Sequence, residues 1–255
     1  MLALESVRVR TDGRVARIML DRPPLNVMNI AMMREIHAVI EELGPEMDVV
    51  VFQGAGEKGF SAGAEVADHT PERVRDMLHA FHGIFREVWN GRFITIAAVH
   101  GYCLGGGCEL ATFCDFVVAT ESAKFGQPEI KLGCFPPVAM VTFQRLMGLR
   151  AATDLILSGR TISAREAQQL GLVSRLVAND DLEDGVALLL DELGSLSPAV
   201  LGMARRTLWN AAGFDFESSL KTVEEFYLRD LMKTEDAQEG IRAFLEKRAP
   251  VWQGK

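Results

Sequence analysis

Short, continuously apolar runs that alternate with helical stretches set the strongest limit on what this chain can fold into. Residues 48–52 (Asp-Val-Val-Val-Phe), 94–99 (Ile-Thr-Ile-Ala-Ala-Val) and 116–119 (Phe-Val-Val-Ala) are too brief for core helices and lack the polar alternation of a half-wet strand. They read as strands buried on both faces. Between them, residues 28–43 and a stretch within 71–90 carry apolar side chains at helical spacing, and another helix begins near Cys108. Strands separated by helices argue for parallel pairing in α/β layers. Ahead of these, Val7-Arg8-Val9-Arg10, the turn Thr11-Asp12-Gly13 and residues 15–20 alternate as a β-hairpin, which Arg22-Pro23-Pro24 ends. Residues 53–64 read as a loop.

From about Val138 the chain turns mostly helical. Ser163-Ala164-Arg165-Glu166 has the form of a capping box, and residues 172–177 make one strand-like run. The segments 182–193, 198–212, 216–232 and 235–248 all have helical apolar spacing. A soft boundary near 195–200 divides a core, residues 1–197, from a helical tail, residues 198–255. The stripes of that tail need an apolar partner, either the site beneath it or another subunit.

Charge and length exclude several function classes. At 255 residues the chain buries a large core. Its 27 Lys and Arg against 35 Asp and Glu give a net charge of −8, which disfavours an extended nucleic-acid surface. The helix at 30–43 sets Arg34 against Glu35, Glu41 and Glu42, so it offers no basic face either. The first ten residues lack the apolar core of a signal peptide, and no stretch reaches the roughly 18 uncharged apolar residues of a membrane span, so the cytoplasm is the expected location. Cys103, Cys108, Cys114 and Cys134 show no CxxC pairing, and the five histidines are scattered; these are structural thiols, and no metal site is expected.

Two glutamates end stretches that bring backbone amides close to a ligand. Leu104-Gly105-Gly106-Gly107-Cys108-Glu109 follows the run at 94–99, and Phe125-Gly126-Gln127-Pro128-Glu129 follows the run at 116–119. Consecutive glycines permit backbone geometry closed to other residues, and a helix starting there turns its first unpaired N–H groups toward a ligand oxygen. Tight strand–helix packing alone would also call for such a turn. A second small-residue loop, residues 54–65, can supply another amide, and two donors on one oxygen make an oxyanion hole. Either glutamate alone reads as a surface charge. Two beside such donors read as an acid/base pair, one deprotonating water and the other giving a proton to carbon.

The run from Ala97 to Ala111, followed by Cys114-Asp115 and Phe125-Gly126-Gln127-Pro128-Glu129-Ile130, closely resembles the enoyl-CoA hydratase/isomerase (crotonase) family. The likeness extends over nearly the whole chain, through Arg22-Pro23 and Asn26, Phe60-Ser61-Ala62-Gly63-Ala64, Leu157-Ser158-Gly159-Arg160, Gly171-Leu172-Val173, Glu239-Gly240 and residues 244–248. It implies an α/β spiral of ββα units with a C-terminal helical trimerisation region, and a homotrimer or homohexamer. It implies an acyl-CoA thioester substrate, with coenzyme A as part of the substrate and no separate cofactor. By the same likeness, Glu109 and Glu129 match the catalytic carboxylates, and the backbone N–H groups of Ala64 and Gly106 match the oxyanion hole. Phe60, Ala62 and Ala64, with Phe244 and Lys247, match positions that bind CoA. Retention of both carboxylates favours water addition or removal over double-bond isomerisation, decarboxylation or thioester hydrolysis, and over a non-catalytic CoA-binding role. Which glutamate activates water is left open.

The chain departs from the straight-chain hydratases after the second glutamate, where residues 135–146 put Val138, Ala139 and Met140 in place of glycines and fill space near the acyl pocket. Glu65 stands where Asp is usual and Ala67 where Lys is frequent. Residues 63–72, the Leu78-His79 to His82-Gly83 neighbourhood and Lys131-Leu132-Gly133-Cys134-Phe135 resemble the cyclohexa-1,5-diene-1-carbonyl-CoA hydratases, implying a cyclic conjugated substrate. His79 and His82 themselves read as helix-face residues.

Overall fold

The computed structural model describes residues 4–211, 213 and 215–254. Strands β1 (Val7–Asp12) and β2 (Val15–Leu20) form the expected antiparallel hairpin, paired from Val7 opposite Leu20 to Asp12 opposite Val15. Helix α1 (Ile30–Glu41) follows, started by Asn29, whose side chain accepts the Met32 N–H. The three apolar runs become β3 (Val49–Gly54), β5 (Ile94–Val99) and β7 (Phe116–Thr120). With β10 (Arg175–Val177) they complete a six-stranded sheet in the order β1-β2-β3-β5-β7-β10, parallel from β2 onward.

Burial on both faces explains why these runs show no alternation. Val50 and Phe52 of β3 point into the main core with Ile18, Leu20, Ala97 and Val99, while Val49 and Val51 face the other way with Ile94, Ile96 and Val118. The first face is covered by α1 and α2 (Val74–Asn90). The second is covered by Val186, Leu189 and Leu193 of α7 (Leu182–Gly194).

A second, four-stranded sheet runs beside the first. It consists of β4 (Gly59–Ser61), β6 (Tyr102–Leu104), β8 (Lys124–Gly126) and β9 (Thr161–Ser163), in that order. Residues 53–64 are therefore not all loop. Each chain turn lays a long strand in the first sheet and a short one in the second before entering a helix: β3-β4-α2, then β5-β6-α3 (Gly106–Phe113). This is the expected spiral of ββα units. Next come α4 (Pro137–Leu146), α5 (Leu149–Ser158) and α6 (Ala164–Gln169), the last begun by the capping box, with Ser163 Oγ accepting the Glu166 N–H at 3.1 Å.

The tail forms α8 (Pro198–Ala211), α9 (Phe216–Arg229) and α10 (Glu235–Leu245), and the break between α7 and α8 falls at residues 195–197. Arg205 of α8 is tied to the core, donating from Nε to both Asp115 carboxylate oxygens at 2.8 Å. Asp115 also accepts the backbone N–H and hydroxyl of Thr95 at 2.8 Å, so one carboxylate joins α8, β5 and the start of β7. Helix α9 packs on α4 and α2, and α10 packs on the 3-10 turns Val66–His69 and Pro128–Leu132. The tail thus covers the loops that carry the candidate site in its own chain. Among the described residues no single helix is long and apolar enough to cross a membrane.

Candidate active site

The site forms where the two glycine-containing loops meet. Gly105 precedes α3 with φ of +53°, a conformation side chains rarely adopt, and a Cβ there would lie 2.7 Å from Glu129 Oε1. Glycine therefore lets the second glutamate close over the start of the helix. Gly106 is the first residue of α3, so its N–H has no intrahelical acceptor. A Cβ on Gly106 would sit 3.4 Å from Ala64 N and 2.9 Å from the Phe81 ring, so the Ala64 amide lies close against Gly106. Ala64 bridges Met28 in parallel fashion: Met28 N–H donates to Gly63 O, and Glu65 N–H donates to Met28 O. That pairing turns the Ala64 N–H to the opposite side.

Glu109 lies in the first turn of α3 and is only 3% exposed. Its Oε1 accepts the Ala139 N–H at 2.8 Å, and the Val138 N–H also bonds the carboxylate. Both donors belong to the opening turn of α4, whose positive end faces the charge. Burial pushes the Glu109 carboxyl up to about 7, and these two amides limit the rise. Glu129, on the 3-10 turn Pro128–Leu132, is held well above the usual carboxylate range by burial and by the charge on Glu109. In the amide orientation that satisfies its neighbours, Gln127 Nε2 donates to the two Glu129 oxygens at 3.1 and 3.2 Å and to Gly105 O at 3.3 Å. Two adjacent buried carboxylates titrate as a pair. Burial raises both carboxyls, and the amides at the start of α4 favour the anion at Glu109.

The cleft between them is narrow, about 20 Å³. Ala64, Gly106 and the two glutamates line it together with Met77, Leu78, Phe81, Phe135, Pro136, Pro137, His69 and Tyr227. Burial keeps His69 below the usual histidine value, and its Nδ1 lies 3.0 Å from Glu65 O. A larger concavity of about 450 Å³, walled by Ile94, Phe116, Leu193, Leu201 and Leu208, lies on the α7–α8 face, away from both glutamates.

Residues 10–255 match the sequence profile of the enoyl-CoA hydratase/isomerase family. The chain belongs to that family. A probable enoyl-CoA hydratase of Mycobacterium bovis is 40% identical over 260 residues, covering 98% of both chains. The cyclohexa-1,5-dienecarbonyl-CoA hydratase of Thauera aromatica is 36% identical over 252 residues, covering 98% of this chain and 96% of that one. Among solved structures, a carnitinyl-CoA hydratase from Mycobacterium avium superposes with a TM-score of 0.85 at 31% identity, covering 99% of this chain and all of the other.

The fold brings Glu109, Glu129, Ala64 and Gly106 of this family member to one cleft. It does not bring every expected CoA position there. The Phe60 ring is fully buried in the core, so a contact from that position runs through backbone. Ala62 is partly exposed in the same loop, its N–H donating to Leu25 O. Phe244 is 52% exposed at the end of α10, and Lys247 is exposed just beyond it, both outside the cleft. Sequence reasoning missed Tyr227, Phe81 and Gln127. Phe81 and Tyr227 sit on amphipathic helices where an aromatic is indistinguishable from core, and only the position of Gln127 two residues before Glu129 offered a signal.

Proposed function

We propose that the protein is a hydro-lyase of the enoyl-CoA hydratase type, adding water to, or removing it from, a conjugated acyl-CoA thioester. The observation that carries this is the split pair of carboxylates beside two convergent amides. Hydration needs a base for water and an acid for carbon, and a dyad holding one proton supplies both. The thioester oxygen accepts from the Ala64 and Gly106 N–H groups. Glu109 takes a proton from water as the C–O bond forms, charge collects on the thioester oxygen as an enolate, and Glu129 delivers its proton to the α-carbon. The dyad ends with one proton, now on Glu109, and the reverse sequence dehydrates. An oxyanion donor of this kind typically lowers the barrier by about 3–4 kcal/mol. Isomerisation requires only one such carboxylate, so the second favours hydration.

The acyl group we infer is cyclic and conjugated, of the cyclohexa-1,5-diene-1-carbonyl kind. The Thauera relative supports this, as do Phe81, Phe135, Pro136 and Pro137, whose rigid side chains line the cleft. The test is a mass-spectrometric screen of cyclic and linear enoyl-CoA thioesters for an 18-dalton gain or loss. A gain on the cyclic dienoyl thioester with little on crotonyl-CoA is expected. Turnover of crotonyl-CoA alone would reject the cyclic assignment, and no turnover of any thioester would reject hydration.

The dyad also fixes the pH dependence. Glu109 must be ionised and Glu129 protonated, so kcat/KM for hydration should rise with pH through about 7 and fall again once Glu129, itself held well above the usual carboxylate range, loses its proton. Stopped-time assays across pH 5–10 (on the order of ten points) read both limbs. A profile flat through pH 7, or one falling there, would contradict the assignment of Glu109 as base.

A further inference from the structure

Helix α9 brings one more polar group to the cleft than this hydration scheme uses. Its buried face is Phe216, Leu220 and Tyr227, and Glu224 lies on the same side one turn before Tyr227. Glu224 is held from α2: His82 Nδ1 pairs with its carboxylate, and Arg86 Nη2 donates to both oxygens at 3.1 and 3.2 Å. His82 is wholly buried and its Nε2 meets no partner. A second ring proton would be buried unpaired, which keeps the imidazole neutral and below its usual value, and leaves Glu224 ionised against Arg86. A charge-assisted bond of this kind sets the height and rotation of α9 on α2. Because α2 also supplies Leu78 and Phe81, the tie joins two of the helices that line the cleft.

At the far end of that tie, Tyr227 is 1% exposed and faces the same cleft as Glu109 and Glu129. Its ring meets Phe135 edge-on, with centroids 5.0 Å apart at 75°. The Cys134 thiol donates to Leu132 O at 3.7 Å and lies near the Tyr227 hydroxyl, and Cys134 N–H donates to Glu129 O at 3.1 Å. Burial and the fields of both glutamates hold the phenol well above its usual value, so it stays neutral. A cleft of about 20 Å³ suits a single water, since one needs about 10–15 Å³ and makes about three hydrogen bonds when buried.

We propose that Tyr227 is a third catalytic residue, which orients the water that Glu109 deprotonates. The water donates one O–H to Glu109 and the other to Tyr227 Oη, while Tyr227 donates its own proton to Cys134 Sγ. This leaves one water lone pair directed at the carbon. The phenol neither gains nor loses a proton over the cycle. The inference rests on the hydration reading above, and adds to it the group that fixes the water's angle of attack.

Tyr227→Phe keeps the ring and its contact with Phe135 and removes only the oxygen. With the thioester that the wild type hydrates, kcat should fall about 10- to 100-fold, the scale of loss from a misdirected reactant, while KM stays within about twofold. Both limbs of the pH profile and the melting temperature should be retained. A kcat within about threefold of wild type, or a fall in kcat matched by a proportionate loss of thermal stability, overturns the inference. Wild type and Glu129→Gln are assayed alongside. If the wild type is as inert as Glu129→Gln on every thioester, the hydration reading falls and this inference with it; if the wild type hydrates and Tyr227→Phe keeps pace, only the inference falls.

Discussion

Glu109→Gln is expected to remove about 10²–10⁴-fold of the hydration rate and, in the same protein, to raise its stability at pH 8. The first effect follows from losing the carboxylate proposed to take the proton from water. The second follows from linkage. The Glu109 carboxyl sits at about 7 in the folded chain against an ordinary 4.5, so its contribution to stability is fully present below 4.5 and is lost as pH rises through 7. The displacement from 4.5 to about 7, at 1.36 kcal/mol per pH unit, comes to about 3 kcal/mol. Glutamine cannot ionise, and its Oε1 still accepts the Ala139 N–H. Thermal melts of both proteins should therefore diverge by several degrees at pH 8 and converge near pH 4. The same variant should let Glu129 ionise more easily, because the Glu109 charge is one of the causes of its elevation. Equal melting curves at pH 8 would show that Glu109 is not buried as an anion.

The second large effect lies far from the cleft. Asp115→Ala is expected to cost about 3–5 kcal/mol of unfolding free energy, the usual penalty for leaving one member of a buried ion pair without its partner. Arg205 is 7% exposed and its Nε donates to both Asp115 oxygens, while Asp115 also accepts two bonds from Thr95. Alanine strands the guanidinium and an edge of β5 together. Urea unfolding reads the loss directly, and the double variant Asp115→Ala, Arg205→Met should recover much of it, because no charge is then buried alone. A single-variant cost below about 1 kcal/mol would mean that water reaches Arg205 and replaces the carboxylate.

Much of the fold was legible because burial imprints itself on the residues locally. β3, β5 and β7 were visible as unbroken apolar runs because both of their faces meet core, and α7, α9 and α10 were visible as stripes because only one face does. The second sheet was not legible, since three-residue strands such as Gly59–Ser61 are too short for a period-two pattern to register. Glu109 and Glu129 stood out through the glycines and the proline beside them, which are local features. Their neighbours were invisible, because Ala139 acts on Glu109 through backbone and Tyr227 reaches the cleft from a helix nearly a hundred residues after Glu129. The tie between Asp115 and Arg205 spans 90 positions and has no sequence signature at either end.

The opening turn of α4 has a consequence for how this enzyme can diversify. Pro136 and Pro137 line the cleft, and the next two residues, Val138 and Ala139, present the amides that limit how far burial raises Glu109. Substrate choice and proton affinity are thus written on four consecutive positions. A substitution that reshapes the cavity by shifting this turn also retunes the base, so selection for a new acyl group drags the working pH along with it. Variants recruited to a bulkier ring should then need a compensating change elsewhere around Glu109 before they regain speed in the original environment.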